Sequence, residues 1–520
     1  MAIMNNSIEK KLWDSADALR TNSKLKSTEY ATPVLGLIFL RFADYRFGIA
    51  QSKIDKELEG SRRKPSKIDY QKQGVLYLPP SARYNYLLNL PESEDIQLAV
   101  TQAMKDIEDE NPSLKDVLPK QYRRVPKDVL TALLKTFSEI EMKEDNGDTF
   151  GAIYEYFLGK FALSEGQKGG EFFTPTSLVR LIVEIIEPYN GLILDPACGS
   201  GGMFVQSAKF VNRHSGNSNS DISIFGQENI ADTVRLCKMN LAVHGLEGDI
   251  KECNTYYQNI HGCYHKMNFV MANPPFNAKG VDKERIKGDK RYPFGIPSTD
   301  NANYLWIQEF YSAMKPGQGK AGFVMANSAT DARGTELEIR KKLILDKVVD
   351  VMISIGPNFF YTVTLPCTLW FFDNAKANHY SKDTVLFIDA RNIYSQVDRS
   401  HREFTPAQIE YIANIVRLYH NNPIENIEGG GDLLKTVFPE DKYQDVPGLC
   451  KAVSIKEIEA QGWSLNPGRY VGTKLEEFDE EDFWEAFTAL NSELSQLNEQ
   501  AQQFERAIEE NYLLLVGGNE

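Results

Sequence analysis

The chain has 520 residues and carries 58 lysines and arginines against 72 aspartates and glutamates, a formal net charge of −14 that argues against tight autonomous binding to a polyanion unless basic residues gather locally or another subunit grips. Its longest apolar run, Val34 to Leu40, is far below the roughly 20 residues of a membrane helix, and Met1 to Lys10 has no signal-peptide pattern, so membrane and secreted classes are excluded and a cytoplasmic location is expected. Six cysteines without paired spacing offer no disulfide framework, and a chain of this length is expected to hold two or three domains.

To about Glu144 the sequence reads as helical. Ile8, Leu12 and Trp13, then Leu35, Ile38, Phe39 and Phe42, recur at helical spacing and are expected in a core. Basic residues collect at Arg62, Arg63, Lys64 and Lys67, and again at Lys120, Arg123, Arg124 and Lys127. Both clusters read as solvated surface, the second being better placed for a nucleic-acid backbone. A second domain is expected over 148–425. Near its start the loop Gly166-Gln167-Lys168-Gly169-Gly170 leads to Glu171-Phe172-Phe173-Thr174-Pro175, where Pro175 suits a first helical turn and Thr174 a helix cap.

Leu192-Ile193-Leu194-Asp195 reads as a strand that runs through Pro196-Ala197-Cys198-Gly199-Ser200-Gly201-Gly202 into a helix from about Met203. Strand, glycine turn and helix are how a doubly wound sheet presents a nucleotide-like ligand. The acidic Asp195 disfavours a pyrophosphate and suits the methionyl amine and ribose side of S-adenosylmethionine, so a cationic sulfonium cofactor is expected. A further strand, Ile222 to Phe225, ends at Glu228, about one crossover beyond the glycine loop, where a carboxylate accepts both ribose hydroxyls. Cys253, His261, Cys263 and His265 match no zinc spacing and read as loop residues.

Phe269 to Ala272 is a short apolar strand ending in Asn273-Pro274-Pro275-Phe276. The two prolines forbid helix and leave carbonyls without neighbouring amide donors. The Asn273 amide oxygen and the Pro274 carbonyl can together accept both hydrogens of a planar exocyclic amine, while Phe276 offers a face for its ring. Such a holder catalyses by orientation and electrostatics, without a covalent enzyme intermediate. The basic segment that follows, Lys279, Lys283, Arg285, Lys287, Lys290 and Arg291, is tethered to this turn and reads as a nucleic-acid backbone contact.

Tyr304 to Met314 reads as a helix, Phe323 to Ala326 as a strand, and Lys347 to Ile355 with Thr368 to Phe372 as a terminal strand pair. Phe359, Phe360 and Tyr361 between them read as packing residues, one of which can line a pocket for a base swung out of its stack. Glu428-Gly429-Gly430-Gly431 marks a break before a third part, 432–520. There Phe483, Phe487, Leu490, Leu494, Leu497, Ala501, Phe504 and Ile508 alternate steps of four and three, a heptad seam that either packs on its own domain or docks on a partner's helices.

With these residues in this order, the chain resembles the amino-methylating DNA methyltransferases, specifically the modification subunit of type I restriction-modification systems. The matching residues are Glu171 to Pro175, Asp195 to Gly202, Gly226-Gln227-Glu228, Asn273 to Phe276 and Leu465-Asn466-Pro467-Gly468-Arg469-Tyr470-Val471, and the likeness spans nearly the whole chain. The resemblance implies an α/β fold: a Rossmann-like S-adenosylmethionine-dependent methyltransferase sheet of seven strands with the last antiparallel, a helical N-terminal domain over 1–144 that closes over DNA, and a coiled-coil-like helical tail. It implies methyl transfer to N6 of adenine in DNA, with Asn273, Pro274, Pro275 and Phe276 as the catalytic set. The implied cofactor residues are Glu171, Phe172, Phe173, Thr174, Asp195, Ala197, Gly199, Ser200, Gly201, Gly202, Glu228 and Asn254, the last standing where many methyltransferases carry Asp. Implied partners are DNA, a specificity subunit shared by two modification subunits, and a restriction subunit with nuclease and translocase activity. The same Asn-Pro-Pro-Phe holder also suits cytosine N4, an RNA guanine amine or a protein glutamine amide. A non-catalytic scaffold is disfavoured because Asp195, Glu228, Asn273 and Phe276 are all present.

Overall fold

Runs of Val, Ile, Leu and Phe without polar alternation mark the centre of the fold, since a strand covered on both faces has no solvent side. The computed structural model describes residues 2–23, 26–60, 62–139, 147–165, 174–214, 216–360, 365–378, 381–398 and 401–473, and positions 487, 488, 490–492, 494, 495, 498, 501–505 and 508. Its strands are β1 Gly191–Asp195, β2 Ile222–Glu228, β3 Gly248–Glu252, β4 Phe269–Ala272, β5 Lys320–Ala326, β6 Val349–Ile355, β7 Cys367–Asp373, β8 Thr384–Asp389, β9 Ser395–Asp398, β10 His401–Glu403 and β11 Cys450–Ser454. Among the described residues, β9 and β10 pair with each other and the rest form one sheet of order β11-β8-β6-β7-β5-β4-β1-β2-β3.

Seven of these strands, β3-β2-β1-β4-β5-β7-β6, make the arrangement the resemblance implies. β7 runs antiparallel to both neighbours and is buried at every position, as is β6. The sheet does not stop there. β8 adds to β6 in parallel and β11 adds to β8 antiparallel, so two further strands extend the edge that the expected fold leaves open.

Alternate residues of each strand divide between two helical layers, as the pleat requires. Leu369 and Phe371 face a cluster with the helices Thr176–Ile186, Gly202–Arg213 and Pro406–Tyr419. Trp370 and Phe372 face the helices Asn303–Ala313 and Thr335–Leu345. Fully burying such side chains contributes about 1.5–3 kcal/mol each. The front of the chain is helical, as its spacing predicts, with Leu12, Leu35, Ile38, Phe39 and Phe42 in one core. Helix Gly147–Glu165, which the sequence reading places in the catalytic domain, instead gives Phe150, Ile153, Tyr154 and Phe157 to this front core.

The expected break at Gly429 to Gly431 is a packed turn. The Glu410 carboxylate accepts from the amides of Ile427 (2.6 Å), Glu428 (2.5 Å) and Gly430 (3.2 Å), and a Cβ at Gly430 would stand 2.6 Å from the Tyr411 nitrogen. Residues 432–471 therefore stay with the sheet. Trp463 to Val471 is fastened to the segment after β5: the buried Arg340 Nε donates to the Trp463 carbonyl (2.7 Å), the Leu465 amide to the Thr330 carbonyl (3.0 Å) and Asn466 Nδ2 to Asp331 (3.1 Å). Tyr470 stacks on Phe387 of β8, with ring centroids 4.4 Å apart.

The chain divides into compact units at Val471, leaving Gly472–Glu520 as the second unit. The described residues of that unit between 487 and 508 are helical, and Phe487, Leu490, Leu494, Ala501, Phe504 and Ile508 of the seam are exposed. Phe483 and Leu497 lie outside the described residues. Among the described residues no helix is long and apolar enough to cross a membrane.

One buried ionic group supports the extended edge. Asp350 of β6 meets Lys376 Nζ at 3.2 Å and His420 Nε2 at 2.9 Å, and Lys376 also donates to the Val349 carbonyl at 2.6 Å. Burial alone would raise the Asp350 carboxyl, but His420 and Lys376 outweigh it and hold it well below the carboxylate range. A depressed pKa contributes stability above the unfolded value near pH ~4 that is lost as pH falls towards the folded value. Asp350→Ala, which strands a buried ammonium, is expected to destabilise the chain by about 3–5 kcal/mol near neutral pH, with a deficit that shrinks on acidification below pH ~4. Denaturant titrations at several pH values check this, and a pH-independent deficit would contradict it.

Candidate active site

The site lies where the order of the sheet reverses. From β1 the chain crosses to β2 on one side, while β4 pairs with β1 on the other, and this opens a crevice at the carboxyl ends of the parallel strands. Glu228 ends β2, Asp195 ends β1 and Asn273 follows β4, so the sheet brings these three predicted residues onto neighbouring strands.

The loop after β1 is tightly determined. Gly199 (φ 50°) and Gly201 (φ 84°) take left-handed backbone, and a Cβ on Gly201 would stand 2.8 Å from Cys237 Sγ. The Ser200 carbonyl accepts from Asn240 Nδ2 (2.8 Å), and the Ala197 amide donates to Asp195 Oδ1 (3.0 Å). Gly202 begins the following helix, with Gly201 as its N-cap. Beneath the loop, Gln227 Nε2 donates to Thr255 Oγ1 (2.9 Å), whose hydroxyl donates to the Pro196 carbonyl (2.7 Å). Sequence reasoning missed Thr255 and Asn240, which carry no local signal. Gln227 lies inside a matching motif.

Asp195 is 2 % exposed and, among the described residues, has no Lys, Arg or His against it. Burial raises its carboxyl well above the ordinary range; the Ala197 amide offsets part of this and the Glu228 charge adds to it. A cationic group in the crevice would relieve that penalty. Glu228 Oε2 accepts from the Gly199 amide (3.1 Å), and Oε1 accepts from the amides of Asn229 (2.7 Å) and Ile230 (3.1 Å). The carboxylate thus closes the glycine loop as well as facing the crevice. Asn254 follows β3, and its Oδ1 accepts from the Tyr256 amide (3.1 Å).

Asn273 Nδ2 donates to Thr174 Oγ1 (2.9 Å). Helix Thr176–Ile186 is capped by Pro175, so Thr174 does not serve as the predicted cap; its hydroxyl meets the turn after β4 instead. Glu171, Phe172 and Phe173 lie outside the described residues, as does Tyr361. Pro274 is buried and Pro275 exposed. Phe276 packs edge to face with Phe360, ring centroids 6.0 Å apart and planes at 82°, and Phe359 lies tilted at 45° against Phe404. Phe359 and Phe360 are buried and serve as packing residues.

The basic segment after Phe276 divides. Lys279, Arg285, Lys287 and Lys290 are exposed, Arg285 lying over the Tyr257 ring, and Lys283 donates to the Ser298 and Thr299 carbonyls. Arg291 departs from the prediction: it is 4 % exposed, pairs with Asp289 and Glu309 and donates to the Thr255 and Tyr256 carbonyls, so it braces the fold and is unavailable to a phosphate. In the front clusters Lys67 pairs with Glu110, Lys120 with Glu108 and Lys127 with Asp95, while Arg123 and Arg124 are exposed.

A family model for N-6 DNA methylases matches residues 145–479, and one for the HsdM N-terminal domain matches residues 8–137. The chain is 39% identical over 497 residues to the type I restriction enzyme MjaIX methylase subunit of Methanocaldococcus jannaschii, covering 90% of this chain and 84% of that one. It is 35% identical to the HindI methylase subunit of Haemophilus influenzae, over 79% of this chain and 91% of that one. The type I restriction-modification system methyltransferase subunit from Streptococcus thermophilus shares the fold, with a TM-score of 0.74 at 21% identity over 90% of this chain and 100% of that chain.

Proposed function

The chain belongs to the N-6 DNA methylases, among the methylase subunits of type I restriction enzymes, and from that premise we propose how its own residues carry the reaction. The protein methylates N6 of adenine in DNA as the modification subunit of a type I restriction-modification complex. Its methyl donor is S-adenosylmethionine, which when bound supplies a methyl group on a sulfonium sulfur. The observation that carries this reading is the buried carboxyl of Asp195 at the end of β1, between Glu228 and Asn273, with no Lys, Arg or His against it among the described residues.

Asp195 and the glycine loop from Ala197 to Gly202 hold the methionyl side, Glu228 the ribose hydroxyls, and Asn254 and the Glu171 to Thr174 segment the remaining walls. Asn273 Oδ1 and the Pro274 carbonyl accept the two hydrogens of the target amine, which concentrates its lone pair for attack. Phe276 stacks on the adenine, which must leave the duplex to reach the crevice. Lys279, Arg285, Lys287 and Lys290 lie along the strand that carries it, and Arg123 and Arg124 contact the backbone from the helical front. A specificity subunit reads the sequence, two modification subunits serve each one, and a restriction subunit joins them in the cytoplasm.

Tritium transfer from labelled cofactor to DNA by the complex, with mapping of the modified base, tests the reading. Label appearing on adenine N6 supports it, and label on cytosine or protein overturns it. For the cofactor site, Glu228→Ala is expected to weaken S-adenosylmethionine binding about tenfold or more by removing hydrogen bonds to a charged group. Gly201→Val does so by forcing a branched residue into left-handed backbone against Cys237. Unchanged calorimetric affinity in both would show the site to be elsewhere.

A further inference from the structure

We propose that Asn303 is a positioning residue for methyl transfer, acting through Asn277 to fix the turn that carries Asn273 and Phe276; this rests on the amine-holding role proposed for that turn. Asn277 directly follows Phe276 and takes left-handed backbone at φ 54°. Non-glycine residues adopt that conformation only where surrounding contacts hold it, and Asn tolerates it better than most. The contacts here are specific. The Asn277 amide donates to Asn303 Oδ1 (2.9 Å), and Asn303 Nδ2 donates back to Asn277 Oδ1 (2.9 Å), which also accepts from Asn301 Nδ2 (3.1 Å). The Ala302 amide closes the bracket on the Ala278 carbonyl at 2.9 Å.

Asn303 is 2 % exposed and is the first residue of helix Asn303–Ala313, whose Tyr304, Leu305, Trp306 and Ile307 are buried against the sheet. The bracket is therefore mounted on a rigid element, and a buried amide that gives and takes one hydrogen bond with the same residue fixes that residue's distance and rotation. Rotation at Asn277 would swing Phe276 and the carbonyls before it. An amine must be aimed at the methyl group, and a displacement of about 1 Å at such a centre costs about 100-fold in rate.

The test uses the complex assembled with its specificity subunit. Single-turnover transfer, calorimetric cofactor affinity, and the emission of 2-aminopurine in place of the target adenine are read on each variant. Asn303→Ala is expected to slow transfer about 100-fold, while cofactor affinity and the rise in 2-aminopurine emission stay within about twofold, because the base still leaves the stack but is misaimed. Asn277→Ala, at an exposed position, is expected to slow transfer at least about tenfold. Asn277→Asp, which keeps an acceptor for Asn303 Nδ2 and tolerates left-handed backbone, is expected to recover to within about fivefold of the unsubstituted rate. An unchanged rate in Asn303→Ala overturns the proposal, as does a loss matched by equal losses of cofactor affinity and thermal stability. If Asn303→Ala does not assemble, the Asn277 variants decide, and equal rates in the Ala and Asp forms reject the bracket. A wild-type complex that transfers nothing to adenine N6 instead refutes the amine-holding turn and takes this proposal with it.

Discussion

Asn273→Ala in the assembled complex is expected to lower single-turnover methyl transfer about a thousand-fold while leaving S-adenosylmethionine affinity within about threefold. The size follows from what the side chain does. In the proposed mechanism its oxygen accepts a hydrogen of the amine, on which positive charge develops during attack, and removing one such preorganised group from a water-excluded site typically costs 100- to 1,000-fold. The selectivity follows from the sheet, because Asp195 and Glu228 sit on β1 and β2 and Asn273 follows β4. Among the described residues, a link across is the bond from Asn273 Nδ2 to Thr174 Oγ1. Its loss frees a hydroxyl that Thr174 can turn to the methionyl end, which keeps the change in affinity small. Near-normal transfer in the variant would refute the holder mechanism.

Truncation after Gly472 is expected to leave a folded chain that binds S-adenosylmethionine but neither co-purifies with the specificity subunit nor modifies its site. The first half rests on the division of the chain: the compact unit ends at Val471, with all nine strands of the sheet and every described residue proposed to hold the cofactor inside it. The second half rests on the seam. Leu490, Leu494, Phe504 and Ile508 are each more than half exposed, an apolar stripe at coiled-coil spacing that a partner helix would bury. Specific methylation then disappears because an acidic chain without a reading module has little hold on DNA of its own. Pull-down and methylation assays on the truncated protein check this, and a truncated complex that still assembles and modifies its site would reject the docking role.

The parts of the site legible in the sequence are those in which one segment holds both the signal and the chemistry. Asp195 to Gly202 and Asn273 to Phe276 each place the candidate functional group at the abrupt end of a strand, β1 and β4, within eight residues or fewer, and the sheet only had to set them side by side. Other features depend on partners far away in sequence. Asn303 becomes a bracket only because helix Asn303–Ala313 returns to the turn after β4. Arg291 reads as one more cation in a basic run until Glu309 and three carbonyls surround it. Gly429 to Gly431 carries every mark of a linker, yet the Glu410 carboxylate twenty residues earlier gathers its amides. β11 is hardest to foresee, since Cys-Lys-Ala-Val-Ser has a single β-branched residue and no aromatic one and becomes a strand because β8 offers it an edge.

The fastening of Trp463 to Val471 has a mechanical meaning. The Gly448 amide donates to the Val471 carbonyl at 3.0 Å, and upstream the bonds from Arg340, Leu465 and Asn466 tie the same segment to the stretch between β5 and β6. Tension on the chain beyond Gly472 is therefore carried as shear by hydrogen bonds at the β8 side of the molecule, with the buried Arg340 guanidinium as the deepest anchor. The turn after β4 is joined to that anchor: Arg340 Nη1 donates to the Tyr304 hydroxyl at 3.0 Å, and Tyr304 follows Asn303, whose side chain holds Asn277. Strain in whatever grips the tail would therefore meet the anchor first and pass, through Tyr304, to the bracket beside Asn273.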